Sequence, residues 1–217
     1  MRAALLLAGL LLTWPALAQD AARGRAIVEN GTENAAPCAS CHGMDGRANR
    51  SEQFPRLDGQ SAHYLLKQLE DYASGSRPNE VMTPIAQGLT ARQRQDVAAW
   101  FAAQDFAAGP EPTGEEARRG RAIYELGIAE RGVQACINCH GPGGLGLGPL
   151  IPRIVGQWSD YAEAQLHAFR EGTRRNDAGG AMRAIAPRLT EADVDALTAW
   201  LERDLPSERQ HGPRQRR

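Results

Sequence analysis

The sequence predicts an all-α protein made of two similar halves, and three observations carry that prediction. Apolar residues recur at helical spacing behind capping residues, segments with the alternation of a strand are almost absent, and one order of landmarks occurs twice along the 217 residues. Gly24-Arg25-Ala26-Ile27 returns as Gly120-Arg121-Ala122-Ile123, and Pro55-Arg56-Leu57-Asp58-Gly59-Gln60 returns as Pro152-Arg153-Ile154-Val155-Gly156-Gln157. Gln68-Leu69 matches Gln165-Leu166, Leu89-Thr90 matches Leu189-Thr190, and Trp100 matches Trp200. The offset drifts only from 96 to 100, so small loop insertions separate two copies of one unit.

In chain order, Met1-Arg2, an apolar stretch from Ala3 to Leu12 and the small-residue end Ala16-Leu17-Ala18 read as a secretory leader over residues 1–18. The apolar run is too short for a comfortable membrane span and ends at Trp14-Pro15. The mature chain is therefore expected from Gln19, in the periplasm, with no transmembrane anchor. N-terminal helices are predicted over Asp20 to Glu29 and Gly114 to Leu126, and central helices over Ser61 to Ser74 and Ser159 to Glu171. Thr90 with Gln93 and Thr113 with Glu116 have the capping-box spacing, and Thr190 with Asp193 is a weaker form of it. The helix after Thr90 aligns Val97, Trp100 and Phe101; the one after Thr190 aligns Leu197, Trp200 and Leu201. Glycine-rich loops fall at Gly43–Gly59 and Gly141–Gly148. Ala107-Ala108-Gly109-Pro110-Glu111-Pro112-Thr113 reads as a linker. The expected organisation is a leader (1–18), a first domain (19–106), the linker (107–113), a second domain (114–206) and an arginine-rich tail (207–217).

Net charge is −1, with 25 basic and 26 acidic residues. Of the basic residues only Lys67 is lysine, a bias best read as compositional. Four arginines sit in the tail beyond Pro206, so the folded body is more acidic than the whole. That excludes a nucleic-acid-binding profile. The tail reads as a solvated segment able to touch a partner or, peripherally, an anionic membrane surface.

All four cysteines lie in two C-x-x-C-H pentapeptides, Cys38-Ala39-Ser40-Cys41-His42 and Cys136-Ile137-Asn138-Cys139-His140. A single such motif can arise by chance, as a zinc half-site or as a redox dithiol. Two of them, at matching places in a duplicated exported chain, point to two covalently attached haem c groups. The thiols add across the haem vinyls as thioethers, and His42 and His140 each take one axial position on an iron. With every cysteine committed in this way, no structural disulfide is expected. Each half is small for a self-sufficient core, and a haem gives it a large apolar surface to fold around.

The second axial ligand decides between carrier and catalyst. Beyond the leader the chain has three methionines. Met44 lies too near His42 to reach the opposite face. Met82 and Met182 fall at equivalent places, in VMTPIAQGLT and AMRAIAPRLT, 40 and 42 residues after their histidines. A lone loop methionine usually packs; two repeated ones in a methionine-poor chain favour ligation. The competing ligands are His63 and His167, which align with Asp160 and Glu70 and so are not repeated; His211 lies in the tail. Pro55 and Pro152 follow the histidines by 13 and 12 residues. Each either ends a loop or offers its carbonyl to the histidine Nδ1–H, fixing the ring as outer-shell partners do. Trp100 and Trp200 read as core residues of the last helix of each half.

These residues resemble class I cytochromes c twice over, and the stretch from Asp20 to Leu205 is similar to the di-haem cytochrome c4 family. The phrase FPRLDGQSAHYLLKQLEDYASGSRP followed by MTPIAQGLT carries most of that resemblance. It implies that Gly24 with Val28, and Gly120 with Tyr124, mark where the first helix crosses the last, with Val97, Trp100, Leu197 and Trp200 opposite. It also implies a pseudo-twofold pair of domains with close haem edges. The implied role is periplasmic electron transfer from a quinol-oxidising cytochrome complex or a dehydrogenase to terminal oxidases or reductases. One departure is Met182-Arg183-Ala184, which lacks a counterpart of Pro84.

The rival readings are a di-haem peroxidase or sulfur-compound oxidoreductase, a cytochrome subunit docked to a dehydrogenase, and a gas sensor. The first and last need a vacant iron site, and the enzyme also needs acid–base groups beside it. No repeated or clustered catalytic residue is visible in the sequence, so catalytic residues are expected to be none.

Overall fold

A computed structural model describes residues 20–48 and 54–203; the expected leader (1–18) and arginine-rich tail (207–217) lie outside the described residues. The architecture is all-α. Helices α1 (Ala21–Asn30), α2 (Ala39–His42), α3 (Ala62–Ser74), α4 (Met82–Gln87) and α5 (Ala91–Ala102) form the first half. Helices α6 (Glu115–Leu126), α7 (Ile137–His140), α8 (Ser159–Glu171), α9 (Ala181–Ile185) and α10 (Glu191–Leu201) repeat them in the second. Among the described residues, β pairing is confined to isolated bridges such as Thr32–Ala35 and its counterpart Ile128–Val133. No described helix is long and apolar enough to cross a membrane.

The helix starts follow local chemistry. Asp20 caps α1 by accepting from the Ala22 and Arg23 amides, and Ser61 caps α3 through the Tyr64 amide. Thr90 and Thr190 both close full capping boxes, with Gln93 and Asp193. The box expected at Thr113 does not form. Helix α6 starts one residue later, with Gly114 as N-cap and no side-chain cap, and Glu115 and Glu116 in its first turn favour the positive end of the helix instead.

In each half the first helix crosses the last at a glycine. A Cβ on Gly24 would lie 2.0 Å from the Asp96 carbonyl oxygen, and one on Gly120 would lie 1.9 Å from that of Ala196. Only a residue without a side chain permits backbones to approach this closely. Around the first crossing Val28, Leu65, Val97, Ala98 and Phe101 are buried together. Around the second the core includes Ile123, Tyr124, Val194, Leu197, Trp200 and Leu201.

The halves meet about a pseudo-twofold axis, and the repeat is visible in the bonds. The Arg56 amide donates to Gln157 Oε1 (2.9 Å), and Gln157 Nε2 donates to the Arg56 carbonyl (3.0 Å). With the roles exchanged, the Arg153 amide donates to Gln60 Oε1 (3.1 Å) and Gln60 Nε2 donates to the Arg153 carbonyl (2.8 Å). A second symmetric set lies farther along the central helices. Arg77 bonds Gln68 of its own half and Tyr161 and Gln165 of the other; Arg174 bonds its own Gln165 and the opposite Tyr64 and Gln68.

Phe106, which leads into the linker, lies between the two halves. Its Cβ would be 2.7 Å from a side chain at Gly59, and its ring 3.0 Å from one at the equivalent Gly156. The Arg153 guanidinium stacks 3.5 Å from the centre of that ring, and Arg56 lies 5.6 Å from it. Asp58 breaks the symmetry here, since its counterpart is Val155. It is fully buried and takes a two-pronged ion pair from Arg56 (2.7 and 3.1 Å), with the Arg153 guanidinium 3.9 Å away. Burial pulls Arg153 down to about 10, which Asp58 partly offsets and Arg56 deepens.

Candidate haem centres

Each pentapeptide forms a single helical turn, which sets its two cysteines and its histidine on one side. The His42 amide donates to the Cys38 carbonyl at 2.9 Å and the His140 amide to that of Cys136 at 2.8 Å. Gly43 and Gly141, at φ of 72° and 73°, end the turns. Burial pushes the Cys38 and Cys136 thiols up to about 11. A reactive redox dithiol needs the opposite shift. Among the described residues, no three His, Cys, Asp or Glu side chains converge to hold a bare metal ion. Both facts fit thioether attachment better than the zinc or thioredoxin-like alternatives.

The prolines stand where the histidines need them. His42 Nδ1 lies 3.2 Å from the Pro55 carbonyl oxygen and His140 Nδ1 lies 3.0 Å from that of Pro152. A carbonyl only accepts, so Nδ1 carries the proton and the lone pair is on Nε2, the atom free to bind iron. Burial lowers the pKa of both imidazoles, more than the proline contacts raise it, and so favours the neutral ring. Phe54 and Phe101 lie 6.0 and 6.4 Å from the His42 ring, centre to centre.

Met82 opens α4 and Met182 is the second residue of α9; both are half-buried. Each of these short helices packs on the central helix of its own half, α4 on α3 and α9 on α8. The segments leading to them differ. Asn79 Oδ1 accepts from the Val81 and Met82 amides at 3.0 and 2.8 Å, so the first segment is closed by its own residues. The second is longer by Ala178-Gly179-Gly180, whose glycines sit at φ of 62° and 72°. Ile185 is followed by a short 3-10 turn, Ala186–Arg188, that contains Pro187.

The alternative histidines are differently placed. His63 is exposed on α3, and His167 faces Glu163 and Glu191 at 3.7 and 3.4 Å. His211 lies outside the described residues. Met44 packs against the first core.

Sequence reading did not find the groups that tie the motif loops down. Trp100 Nε1 donates to the Met44 carbonyl at 2.9 Å, and the Tyr124 hydroxyl donates to the Gly141 carbonyl. It also missed Arg77 and Arg174, although their repetition in SGSRPN and EGTRRN was a usable signal. Both guanidinia are buried and bonded to amides and phenols.

Comparison with known proteins agrees with this geometry. Residues 21–105 match the family described as cytochrome c, and residues 115–201 match cytochrome C oxidase, cbb3-type, subunit III. The chain is 40% identical to the thiosulfate dehydrogenase electron acceptor of Thiomonas intermedia, over 77% of this chain and 78% of that one. It is 37% identical to cytochrome c4 of Pseudomonas aeruginosa, over 91% and 97%. Reduced recombinant cytochrome c4 from Pseudomonas stutzeri superposes with a TM-score of 0.75 at 34% identity, covering 85% of this chain and 98% of that one. Two cytochrome c domains with these motifs carry two covalently bound haem c groups, one at Cys38 and Cys41, the other at Cys136 and Cys139. The chain belongs to the cytochrome c4 family of di-haem electron carriers.

Proposed function

We propose that this chain works in the periplasm as a mobile two-electron store. It would take electrons singly from a dehydrogenase or a quinol-oxidising cytochrome complex and release them to a terminal oxidase or reductase. The observation that carries this reading is the repeated placement of His42 with Met82 and of His140 with Met182; with both pairs as ligands, neither iron would be open to substrate. When bound, each haem supplies reversible one-electron exchange between ferric and ferrous iron. The chain's own residues fix what surrounds that exchange. The four cysteines anchor the porphyrins, and the Pro55 and Pro152 carbonyls hold the imidazoles with Nε2 free. The Met82 and Met182 thioethers would be the second protein ligands of the two irons, and such ligation would favour the reduced state.

Among donors, a thiosulfate-oxidising dehydrogenase is the one that similarity favours, because a relative at 40% identity is named as the electron acceptor of that enzyme. Catalysis by this chain itself would require an open iron and nearby acid–base groups. His167, the competing ligand of the second half, faces the carboxylates of Glu163 and Glu191.

The test is optical. Oxidised holoprotein is expected to show the weak near-infrared sulfur-to-iron band at an intensity for two sites, and Met82→Ala or Met182→Ala should each remove about half of it. Absence of the band, or rapid peroxide turnover by the native protein, would replace the carrier reading with an enzymatic one.

A further inference from the structure

The symmetric interface is also interrupted beside the segment that carries Met182. Helix α3 presents Lys67 and Asp71, paired with each other one turn apart, where the equivalent positions of α8 are Ala164 and Ala168. Both reach the other half. Lys67 Nζ donates to the Asn176 carbonyl at 3.0 Å, while Asn176 Nδ2 donates to Asp71 Oδ2 at 2.6 Å and to Gln68 Oε1 at 2.9 Å. The main chain and the side chain of Asn176 are thus both gripped from the N-terminal half. Its neighbour Asp177 extends the grip toward the methionine, accepting from the Arg183 amide at 3.2 Å and from Arg183 Nε at 2.7 Å. Between Asp177 and Met182 lie the extra Ala178-Gly179-Gly180, which add conformational freedom to this segment alone.

Among the described residues Asn79, the counterpart of Asn176, has no such outside anchor in its bonds: its side chain caps Val81 and Met82, and its amide donates to Thr83 Oγ1 at 3.0 Å. One methionine segment is therefore closed from within and the other from across the domain boundary.

We propose that Lys67 and Asp71 are positioning residues for the axial ligand of the other half. By holding Asn176 they keep the longer Met182 segment in its ligating conformation, so ligation at the C-terminal haem depends on domain contact and ligation at the N-terminal haem does not. This rests on Met182 being an iron ligand. The coupling runs one way, because the alanines of α8 offer nothing to Asn79.

The experiment uses ferric full-length holoprotein and imidazole, which replaces an axial methionine only when its segment swings away. In Met82→Ala protein the sulfur-to-iron band comes from the C-terminal site alone; in Met182→Ala protein it comes from the N-terminal site alone. Adding Lys67→Ala and Asp71→Ala, the residues α8 already carries, should speed imidazole displacement at the C-terminal site by about tenfold, the scale of one or two lost hydrogen bonds. Displacement at the N-terminal site should change less than twofold. In the variant with both methionines intact, backbone amides of residues 178–185 should exchange faster by hydrogen exchange, and those of 80–88 should not. An unchanged C-terminal rate, or equal acceleration at both sites, overturns the proposal. If Met82→Ala protein shows no band at all, Met182 is not a ligand, and the ligand assignment itself fails first.

Discussion

In the N-terminal half Val28 lies under α5, and the Trp100 indole donates to the Met44 carbonyl just beyond the haem motif. In the C-terminal half Tyr124 takes the place of Val28, stacks on Trp200 at 4.4 Å between ring centres, and its hydroxyl reaches the Gly141 carbonyl just beyond the second motif. Trp200, displaced from that task, donates instead to Glu111 of the linker at 3.0 Å. The element kept by both copies is a buried donor on the main chain that follows the motif histidine. The residue that supplies it is on the last helix of the first half and on the first helix of the second. Trp200 thus fastens the linker, which Arg121 (3.2 Å from Glu111) and the bond from the Gly109 amide to the Arg203 carbonyl hold as well. The linker is thus fastened to the second half more firmly than its proline content alone suggests.

The comparison can be broken most severely at the pseudo-twofold axis. Asp58→Asn removes the one carboxylate that Arg56 and Arg153 share in the interior, and should cost about 3–5 kcal/mol in denaturant unfolding. Asp58→Val, which copies Val155, should be no milder; a variant as stable as the parent would mean that Asp58 contributes nothing the second half lacks.

Next come the helix crossings, where the halves are alike. Gly24→Val and Gly120→Val each drive a side chain into a carbonyl about 2 Å away, and each should destabilise its own half by about 3 kcal/mol. Unequal costs would show that the two crossings are not equivalent.

The exchanged donors give a smaller effect. Tyr124→Phe and Trp100→Phe each leave a carbonyl beyond a motif without its donor, at about 1–3 kcal/mol, whereas Glu111→Ala takes from Trp200 only a half-exposed acceptor and should cost about 1 kcal/mol or less. A Glu111→Ala loss as large as that of Tyr124→Phe would contradict the different roles of the two tryptophans.

The smallest effect is set by pH. Asp96 in α5 and Asp193 in α10 both have lowered pKa values: burial raises them, but Arg23 and the Asp20 amide outweigh it at Asp96, and Arg131 with Thr190 outweigh it at Asp193. A carboxylate with a lowered folded-state pKa adds stability above its unfolded value, about 4, and loses it as pH falls toward the folded value. Stability should therefore decline below about pH 4, and the gap between wild type and Asp193→Asn should narrow as pH falls further. A gap that widened on acidification would mean that the carboxylate is not held ionised.

Much of this was legible in the sequence because the signals are local. The capping residues Asp20, Ser61, Thr90 and Thr190 lie within three residues of the amides they satisfy, and the haem motif is a five-residue turn. The capping box at Thr113 was misjudged, since Gly114 supplies the same turn one residue later. The interface was not legible. The bonds of Gln60, Gln157, Arg77 and Arg174 span 84 to 110 residues and depend on how two folded halves meet. Asp58 differs from Val155 at a glance, but that this difference lies on the symmetry axis is a tertiary fact.

The two halves are proposed to form one electron conduit and not two carriers on a tether. The reciprocal bonds of Arg56, Gln60, Arg153 and Gln157 and the anchored linker keep the halves in contact. A linker this short would in any case hold the local concentration near the millimolar range. Flash reduction of one haem in the fully oxidised protein, followed optically, should give redistribution to the other haem at a rate independent of protein concentration. A redistribution rate that rises in proportion to protein concentration would contradict the account.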